Sequence, residues 1–307
     1  MNPWRTRWSM LLVVAVWLVA SPSYALDILL TNDDGIASVG IQTLKSALVA
    51  AGHDVTVVAP LGERSGSSAA LNLAPVQPVQ FGPQEFALVA LEELTTGDRA
   101  PVPATPATCV AFGASVTLGG VPPDLVVSGT NVGANVGTAT PFSGTVGGVT
   151  AGTIGRVPAI AFSSDPPDVP EDDPAFAAHY ANVAAFAVDL IAHLESKPGA
   201  LAKEPGLLPP GVGLNVNYPA LAPADVKGVK LTVQGQATSA SLVFVPIGGG
   251  LYVPSVGPGD GSERDVKDSD TEALAAGFIT VTPIDADFTA APAQAQRLRS
   301  ALSGLGP

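Results

Sequence analysis

Two short apolar runs, Leu26–Leu30 and Asp54–Ala59, bracket a segment in which Ile41, Leu44, Leu48 and Ala51 recur at helical spacing. Runs of this kind suit strands buried on both faces, and Gly52 is placed to close the helix between them. Strand, helix and strand with short connections form a βαβ unit, which demands a parallel sheet and a right-handed crossover. The rhythm returns with a strand at Asp124–Ser128, a small-residue helix at Ser143–Gly155 and a strand at Pro158–Ser163. A helix at Thr108–Leu118, opened by Pro106, precedes them. Further helix and strand signals follow at Phe176–Leu194 and Gly213–Tyr218, with Ser164–Pro174 read as a loop. The pattern predicts an α/β fold: a doubly wound, mostly parallel, Rossmann-like sheet over residues 26–219. From Ala220 the runs Leu242–Val245 and Leu251–Val256 lack helical periodicity, and 220–277 is expected to be a β-rich arm. Phe278–Thr282 then returns to the body as a strand and Ala290–Leu302 as a terminal helix.

Residues 1–25 read as an address. Arg5 and Arg7 precede the apolar run Met10–Ala20, Ser21 and Pro22 break it, and Ser23-Tyr24-Ala25 places small residues where a signal peptidase inspects the chain. Cleavage is expected after Ala25, leaving an exported protein, periplasmic or secreted. The apolar run is about half of the roughly 20 residues a spanning helix needs, and no second such run is read further on, so no membrane anchor is expected. Without Arg5 and Arg7 the chain carries 12 basic and 27 acidic residues, a formal charge of −15. A chain so acidic repels polynucleotide backbones. A phosphate-bearing ligand would have to be small and have its charge met locally, for which a bound divalent cation is the simplest device. Cys109 is the one cysteine, so no intramolecular disulfide forms, and its place in an apolar helix face makes it a core residue.

Ligands of open parallel sheets bind beyond the carboxyl ends of the strands. Three polar clusters are expected there: Asn32-Asp33-Asp34-Gly35, Glu63-Arg64-Ser65-Gly66-Ser67-Ser68, and Ser128 to Asn135. Adjacent carboxylates repel, so Asp33 and Asp34 call for a counter-charge. An oxygen-only set, with neutral oxygens from Ser65 and Asn131, suits a hard cation such as Mg²⁺, Mn²⁺ or Ca²⁺. Asp33-Asp34 alone is also what a surface Asx turn with a helix cap looks like. Ser143-Gly144-Thr145 opens a helix whose free N–H groups suit an anion, or simply an N-cap with close glycine packing. The chain has no Gly-Lys-Ser phosphate loop, no His-Glu-x-x-His and no Gly-x-Ser-x-Gly elbow, which disfavours a P-loop enzyme, a zinc protease and an α/β-hydrolase. His53, His179 and His193 are scattered and are read as structural or solvated.

Together these stretches resemble the SurE, or survival-protein, family of nucleotidases. Ile28 to Ile36 is similar to that family's opening strand and metal turn, and Val57-Val58-Ala59-Pro60 with Glu63-Arg64-Ser65 to its second motif. Thr105 to Val110, Val127 to Asn135 with Ser143 to Val146, Leu214 to Pro219, and Asp270 to Leu274 with Gly277 to Pro283 follow in the family's order. The resemblance implies one divalent metal, Mg²⁺ or Mn²⁺, on Asp33, Asp34, Ser65 and Asn131. It places Asn135, Ser143, Gly144 and Thr145 close to the phosphate, and makes Asp33, Asp34, Asn135, Ser143 and Thr145 the catalytic set. It further implies hydrolysis of small nucleoside 5'- or 3'-monophosphates, and homodimers or homotetramers that exchange β-arms. Two departures stand out. Ala69 sits where many members carry a His, and Gln234 to Pro254 lacks the expected Arg- and aromatic-rich pattern. A binding protein without turnover, or a phosphatase for polyphosphate or sugar phosphates, are the rival readings.

Overall fold

A computed structural model describes residues 25–197, 206–236, 240–258 and 265–303; the segment before Ala25, expected to be a signal peptide, lies outside them. The first half of the chain forms β1 (Asp27–Thr31), α1 (Val39–Ala50), β2 (Asp54–Pro60), β3 (Val76–Gly82), β4 (Glu85–Glu93), β5 (Arg99–Pro103), α2 (Pro106–Phe112) and β6 (Leu125–Val132). Then come α3 (Gly144–Ile154), β7 (Ala159–Ser164), α4 (Pro174–Glu195), β8 (Val212–Tyr218) and β9 (Val229–Leu231). The chain ends with β10 (Ala240–Gly248), β11 (Leu251–Pro258), α5 (Asp270–Ala275), β12 (Ile279–Asp285) and α6 (Pro292–Ala301).

One sheet runs in the order β3-β4-β2-β1-β6-β7-β8-β12-β9, with β5 paired to the second half of β4. The six strands from β4 to β8 are mutually parallel, as the βαβ rhythm requires. From β1 the chain first moves outward to β2 and later returns to β6 on the other side, so the topological switch point lies between β1 and β6. Successive residues of β1 serve opposite layers. Ile28 and Leu30 pack with Ile41, Leu44 and Leu48 of α1 and with Val183, Ala187 and Ile191 of α4. Leu29 packs with Cys109 and Val110 of α2 and with Val146 and Val149 of α3. This is why the strand is apolar at consecutive positions.

Several elements differ from expectation. β6 is longer than Asp124–Ser128: it continues through Val132 with a register shift between Ser128 and Asn131, so Asn131 sits within the strand rather than beyond it. Three strands, β3 to β5, occupy a stretch to which the sequence assigns no element. They form antiparallel pairs without intervening helices, so they escape a search for βαβ rhythm. β12 runs antiparallel to β8. Residues 106–117 form α2 followed by a π turn. Within 220–277, β9 joins the main sheet beside β12 and α5 packs on β12, while β10 and β11 form a separate hairpin. That hairpin exposes Phe244, Ile247, Leu251 and Tyr252. A second long apolar segment also exists after all: α4 is long and apolar enough to cross a membrane by length and composition. Its stripe Phe176, Tyr180, Val183, Ala187 and Ile191 is instead buried within the protein.

The first turn of α1 is pressed against β6. A β-carbon on Gly40 would stand 2.0 Å from the Thr130 carbonyl oxygen, which no side chain tolerates. Gly40→Ala is therefore expected to cost about 1–3 kcal/mol through overpacking, measured as a lower urea midpoint. Unchanged stability would mean that α1 does not sit this close to the strand.

Candidate active site at the end of β1

β1 delivers Asp33 and Asp34 to the switch point through a tight turn. Asn32 holds that turn from inside, its Nδ2 donating to the Gly35 carbonyl and to Ser38 Oγ, both at 2.9 Å. Asp33 is 2% exposed. Its Oδ2 accepts the Thr145 N–H at 3.0 Å and its Oδ1 accepts the Thr145 hydroxyl. The carboxylate thus caps the first turn of α3, where the helix dipole favours negative charge. Asp34, only partly buried, accepts the Val132 N–H through Oδ2 at 3.2 Å, which ties it to the end of β6.

The loop after β2 reaches the same place. The Arg64 N–H donates to the Asp33 carbonyl at 2.7 Å, which brings the next residue, Ser65, alongside. Ser65 itself is exposed, and its N–H donates to the Glu63 carboxylate at 2.5 Å. Gly144 closes over the pair so tightly that a β-carbon there would lie 2.8 Å from both Asp33 Oδ2 and Ser67 Oγ. Only a glycine lets the helix terminus meet the carboxylate.

Asn131 and Asn135 arrive from β6 and the loop beyond it. Asn131 Nδ2 donates to the Gly133 carbonyl at 2.7 Å, while its Oδ1 is buried without a partner. Asn32 Oδ1, Ser128 Oγ and Thr130 Oγ1 are likewise buried and unpartnered around the ends of β1 and β6. Orphaned buried acceptors gathered in one place mark where an ion or bound water completes the bonding. Asn135 Nδ2 donates to Ser163 Oγ at 2.9 Å, and its main chain is gripped by β8: its N–H donates to Asn217 Oδ1 at 2.7 Å and its carbonyl accepts from Asn215 Nδ2 at 2.7 Å. Ser143 caps α3, its Oγ accepting the Val146 N–H at 3.1 Å. That leaves the Ser143 hydroxyl proton and the Gly144 N–H, which has no intrahelical partner, to meet an anion.

The structure therefore brings Asp33, Asp34, Asn131, Ser143, Gly144 and Thr145 together, with Ser65 beside them on its loop and Asn135 at the end of β8. Thr145 differs from the expected arrangement in one respect, since its N–H and hydroxyl are both committed to Asp33. Among the described residues, no three His, Cys, Asp or Glu side chains cluster tightly enough to hold a metal. A cation here would have to be held by two carboxylates and neutral oxygens, and the free Asn131 Oδ1 is a neutral oxygen of that kind. Ser163, Asn215 and Asn217, which hold Asn135, were not foreseen as site residues. The alternation of Asn215 and Asn217 along a buried strand was the available signal, because buried amides need partners.

Burial pushes the Asp33 carboxyl upward from its ordinary value, against the Thr145 hydrogen bonds that pull it down. Asp34 is raised to about 7, first by burial and then by the charge of Asp33. His179 is buried and hydrogen-bonded to Ser164 at 2.7 Å, with burial lowering its affinity for a proton. His53 accepts the Leu26 N–H, and His193 is exposed on α4. Cys109 lies fully buried in the core, its thiol pushed upward by desolvation.

A doubly wound α/β sheet with an oxygen-rich, carboxylate-paired site at its switch point and a helix N-terminus facing that site defines the class: a Rossmann-like protein built to receive a small anion. Residues 28–241 match the family model described as survival protein SurE. The chain is 36% identical over 273 residues to 5'/3'-nucleotidase SurE of Yersinia enterocolitica, covering 88% of this chain and 95% of that protein. It is 36% identical over 271 residues to the Yersinia pestis (strain Pestoides F) 5'/3'-nucleotidase SurE, covering 87% and 92%. Its structure matches the crystal structure of the SurE protein from Aquifex aeolicus with a TM-score of 0.68 and 28% identity, over 90% of this chain and 98% of that one. The chain belongs to the SurE family.

The raised proton affinity of Asp34 has a stability consequence in metal-free protein. Its folded-state pKa of about 7 lies above the ordinary 3.8, so the fold favours the protonated acid. Stability is then lost as pH rises from the lower value through the higher one. In chelator-treated protein the thermal midpoint is expected to fall between about pH 4 and about pH 7, and to fall less steeply in Asp34→Asn. Parallel curves for the two proteins would contradict the assignment.

Proposed function

We propose that this protein is a metal-dependent phosphomonoesterase that hydrolyses nucleoside 5'- and 3'-monophosphates to nucleoside and phosphate. The observation that carries this reading is the Asp33–Asp34 pair at the switch point, with Asp33 seated on the N-terminus of α3. Its family relatives named 5'/3'-nucleotidase support the substrate class.

Asp33, Asp34, Ser65 and Asn131 would hold one divalent cation, Mg²⁺ or Mn²⁺. When bound, it supplies a Lewis acid that draws charge from the phosphoryl group. The chain's own residues do the rest. Ser143, through its free hydroxyl proton, and the Gly144 N–H receive the phosphoryl oxygens at the positive end of α3, where donors fixed before the reaction need no reorganisation. Asn135 borders that position, held by Ser163, Asn215 and Asn217. Thr145 works through Asp33, keeping the carboxylate in place. The carboxylate of Asp34, which accepts the Val132 N–H, takes the proton of the attacking water as the new P–O bond forms and returns it to the nucleoside oxygen as the old P–O bond breaks.

Two further parts of the reading concern the whole molecule. The residue pattern of 1–25 supports export and cleavage after Ala25. The β10–β11 hairpin supports assembly into homodimers or homotetramers. An isolated two-stranded hairpin is marginal in water, and its exposed Phe244, Ile247, Leu251 and Tyr252 suit a second copy of the chain.

The test is phosphate release from nucleoside 5'- and 3'-monophosphates by the mature protein, Leu26 to Pro307, with and without Mg²⁺ or Mn²⁺. Metal-dependent release is expected, abolished in Asp34→Ala. Ser143→Ala should lower kcat by about 10²–10³-fold, the usual cost of losing one donor to a developing charge. Binding of nucleotide without release under any metal would point instead to a binding protein, and faster turnover of polyphosphate or sugar phosphates to a different phosphatase.

A further inference from the structure

Asp270 belongs to none of the groups that would touch metal or phosphate, yet it is fully buried and heavily used. One oxygen, Oδ1, accepts three main-chain N–H groups: Gly137 at 3.1 Å, Gly235 at 2.8 Å and Thr271 at 2.8 Å. The same glycine is held from its other side, because Gln234 Nε2 donates to the Gly137 carbonyl at 3.0 Å. Gln234 lies just after β9 and Asp270 opens α5, and the Val233–Ser269 bridge joins the two, so both main-chain groups of Gly137 are gripped by the β9–α5 junction. A β-carbon on Gly235 would meet Asp270 Oδ1 at 3.1 Å and Thr271 Oγ1 at 2.6 Å, so this junction is tightly closed.

Gly137 begins the 3-10 turn Gly137–Phe142 that joins Asn135 to Ser143. That connecting segment has three anchors. Asn215 and Asn217 fix its start at Asn135. Ser68 fixes its end, its hydroxyl donating to the Pro141 carbonyl at 2.7 Å and its N–H to the Phe142 carbonyl at 3.1 Å. Asp270 and Gln234 fix the middle.

We propose that Asp270, together with Gln234, is a positioning residue that sets the span between Asn135 and the Ser143–Gly144 terminus, and so the fit of the phosphoryl group, by clamping Gly137 to the β9–α5 junction. The inference rests on the phosphate-binding reading of that terminus. It makes the β9–α5 junction part of the site's support, so that the segment facing the phosphoryl group is only as well placed as the junction that holds it. Of the proposed cation ligands, Asp33 and Asp34 sit on the turn after β1, Ser65 on the loop after β2 and Asn131 on β6, all outside the clamped segment, so phosphate and metal affinities should separate on mutation.

The test uses the mature full-length protein and three variants, Asp270→Ala, Asp270→Asn and Gln234→Ala. Binding of inorganic phosphate and of Mn²⁺ is measured by calorimetry, and kcat and KM with a nucleoside monophosphate. Both alanine variants are expected to weaken phosphate binding and lower kcat/KM by about tenfold or more, as misplacement of a binding segment does. Mn²⁺ affinity should stay within about twofold of wild type, as for a site with no shared partner. Asp270→Asn keeps an acceptor oxygen and should restore most of the loss. Phosphate affinity unchanged in both alanine variants would overturn the clamp, and so would equal loss of phosphate and Mn²⁺ affinity. If Asp270→Ala does not fold, Gln234→Ala decides by the same comparison. A wild type that binds phosphate but releases none from nucleotides would sink the catalytic reading alone, and the calorimetry would still judge the clamp.

Discussion

The bonds between Asp33 and Thr145 join the end of a central strand to the opening turn of a helix on the far layer, and the rest of the site is arranged around that joint. The strand places a carboxylate at the switch point because the turn after it is tight. The helix can approach because Gly144 has no β-carbon to strike Asp33 or Ser67. Once joined, the two elements leave Ser143 and Gly144 at the helix terminus with donors to spare, while Asp34 points back to β6 through Val132. A side chain that anchors architecture and a side chain that offers chemistry stand next to each other in the sequence.

The electrostatics follow from the same joint. Asp33 and Asp34 lie in a poorly solvated position: burial raises both, the charge of Asp33 makes Asp34 harder still to ionise, and that of Glu63 adds to both. The charges of Asp34, Asp165 and Glu171, after burial, also push up the Tyr180 hydroxyl. In a chain of formal charge −13 no surplus of basic residues stands ready to compensate. A site of this kind wants a compact, highly charged cation, and it wants an anionic substrate only when that cation is present. Neutral oxygens such as Asn131 Oδ1 complete a coordination sphere without adding to the repulsion.

The molecule divides its supports unevenly. Of the residues proposed to hold the cation, Asp33, Asp34 and Asn131 rest on the end of β1 and on β6, strands buried along almost their whole length, while Ser65 lies on the loop after β2. The segment expected to face the phosphoryl group rests on loops, and those loops are held by amides from β8, a carboxylate from the start of α5 and a serine hydroxyl from the turn after β2. Long-range polar bonds of this sort are specific, because a buried donor or acceptor left unmade costs more than the bond is worth.

The apolar runs and helical spacings between Leu26 and Tyr218 determined the doubly wound sheet by themselves, because each strand buried on both faces must be continuously apolar and each crossover must return the chain in parallel. The adjacency of Asp33 and Asp34 at a strand end, and the small residues opening α3, also stood in plain view. What only the tertiary structure decided is contact between distant parts of the chain. Thr145 reads as an anion donor until it is seen to face Asp33. Asn215 and Asn217 read as part of a family-like strand, with nothing to name their partner, until Asn135 lies against them. The strands β3 to β5 carry no helical rhythm to announce them, and Asp270 carries no sign of its reach to Gly137. Local pattern reports the period of burial along one element, whereas hydrogen bonds between elements depend on which element ends up beside which, and that is settled only when the sheet has closed.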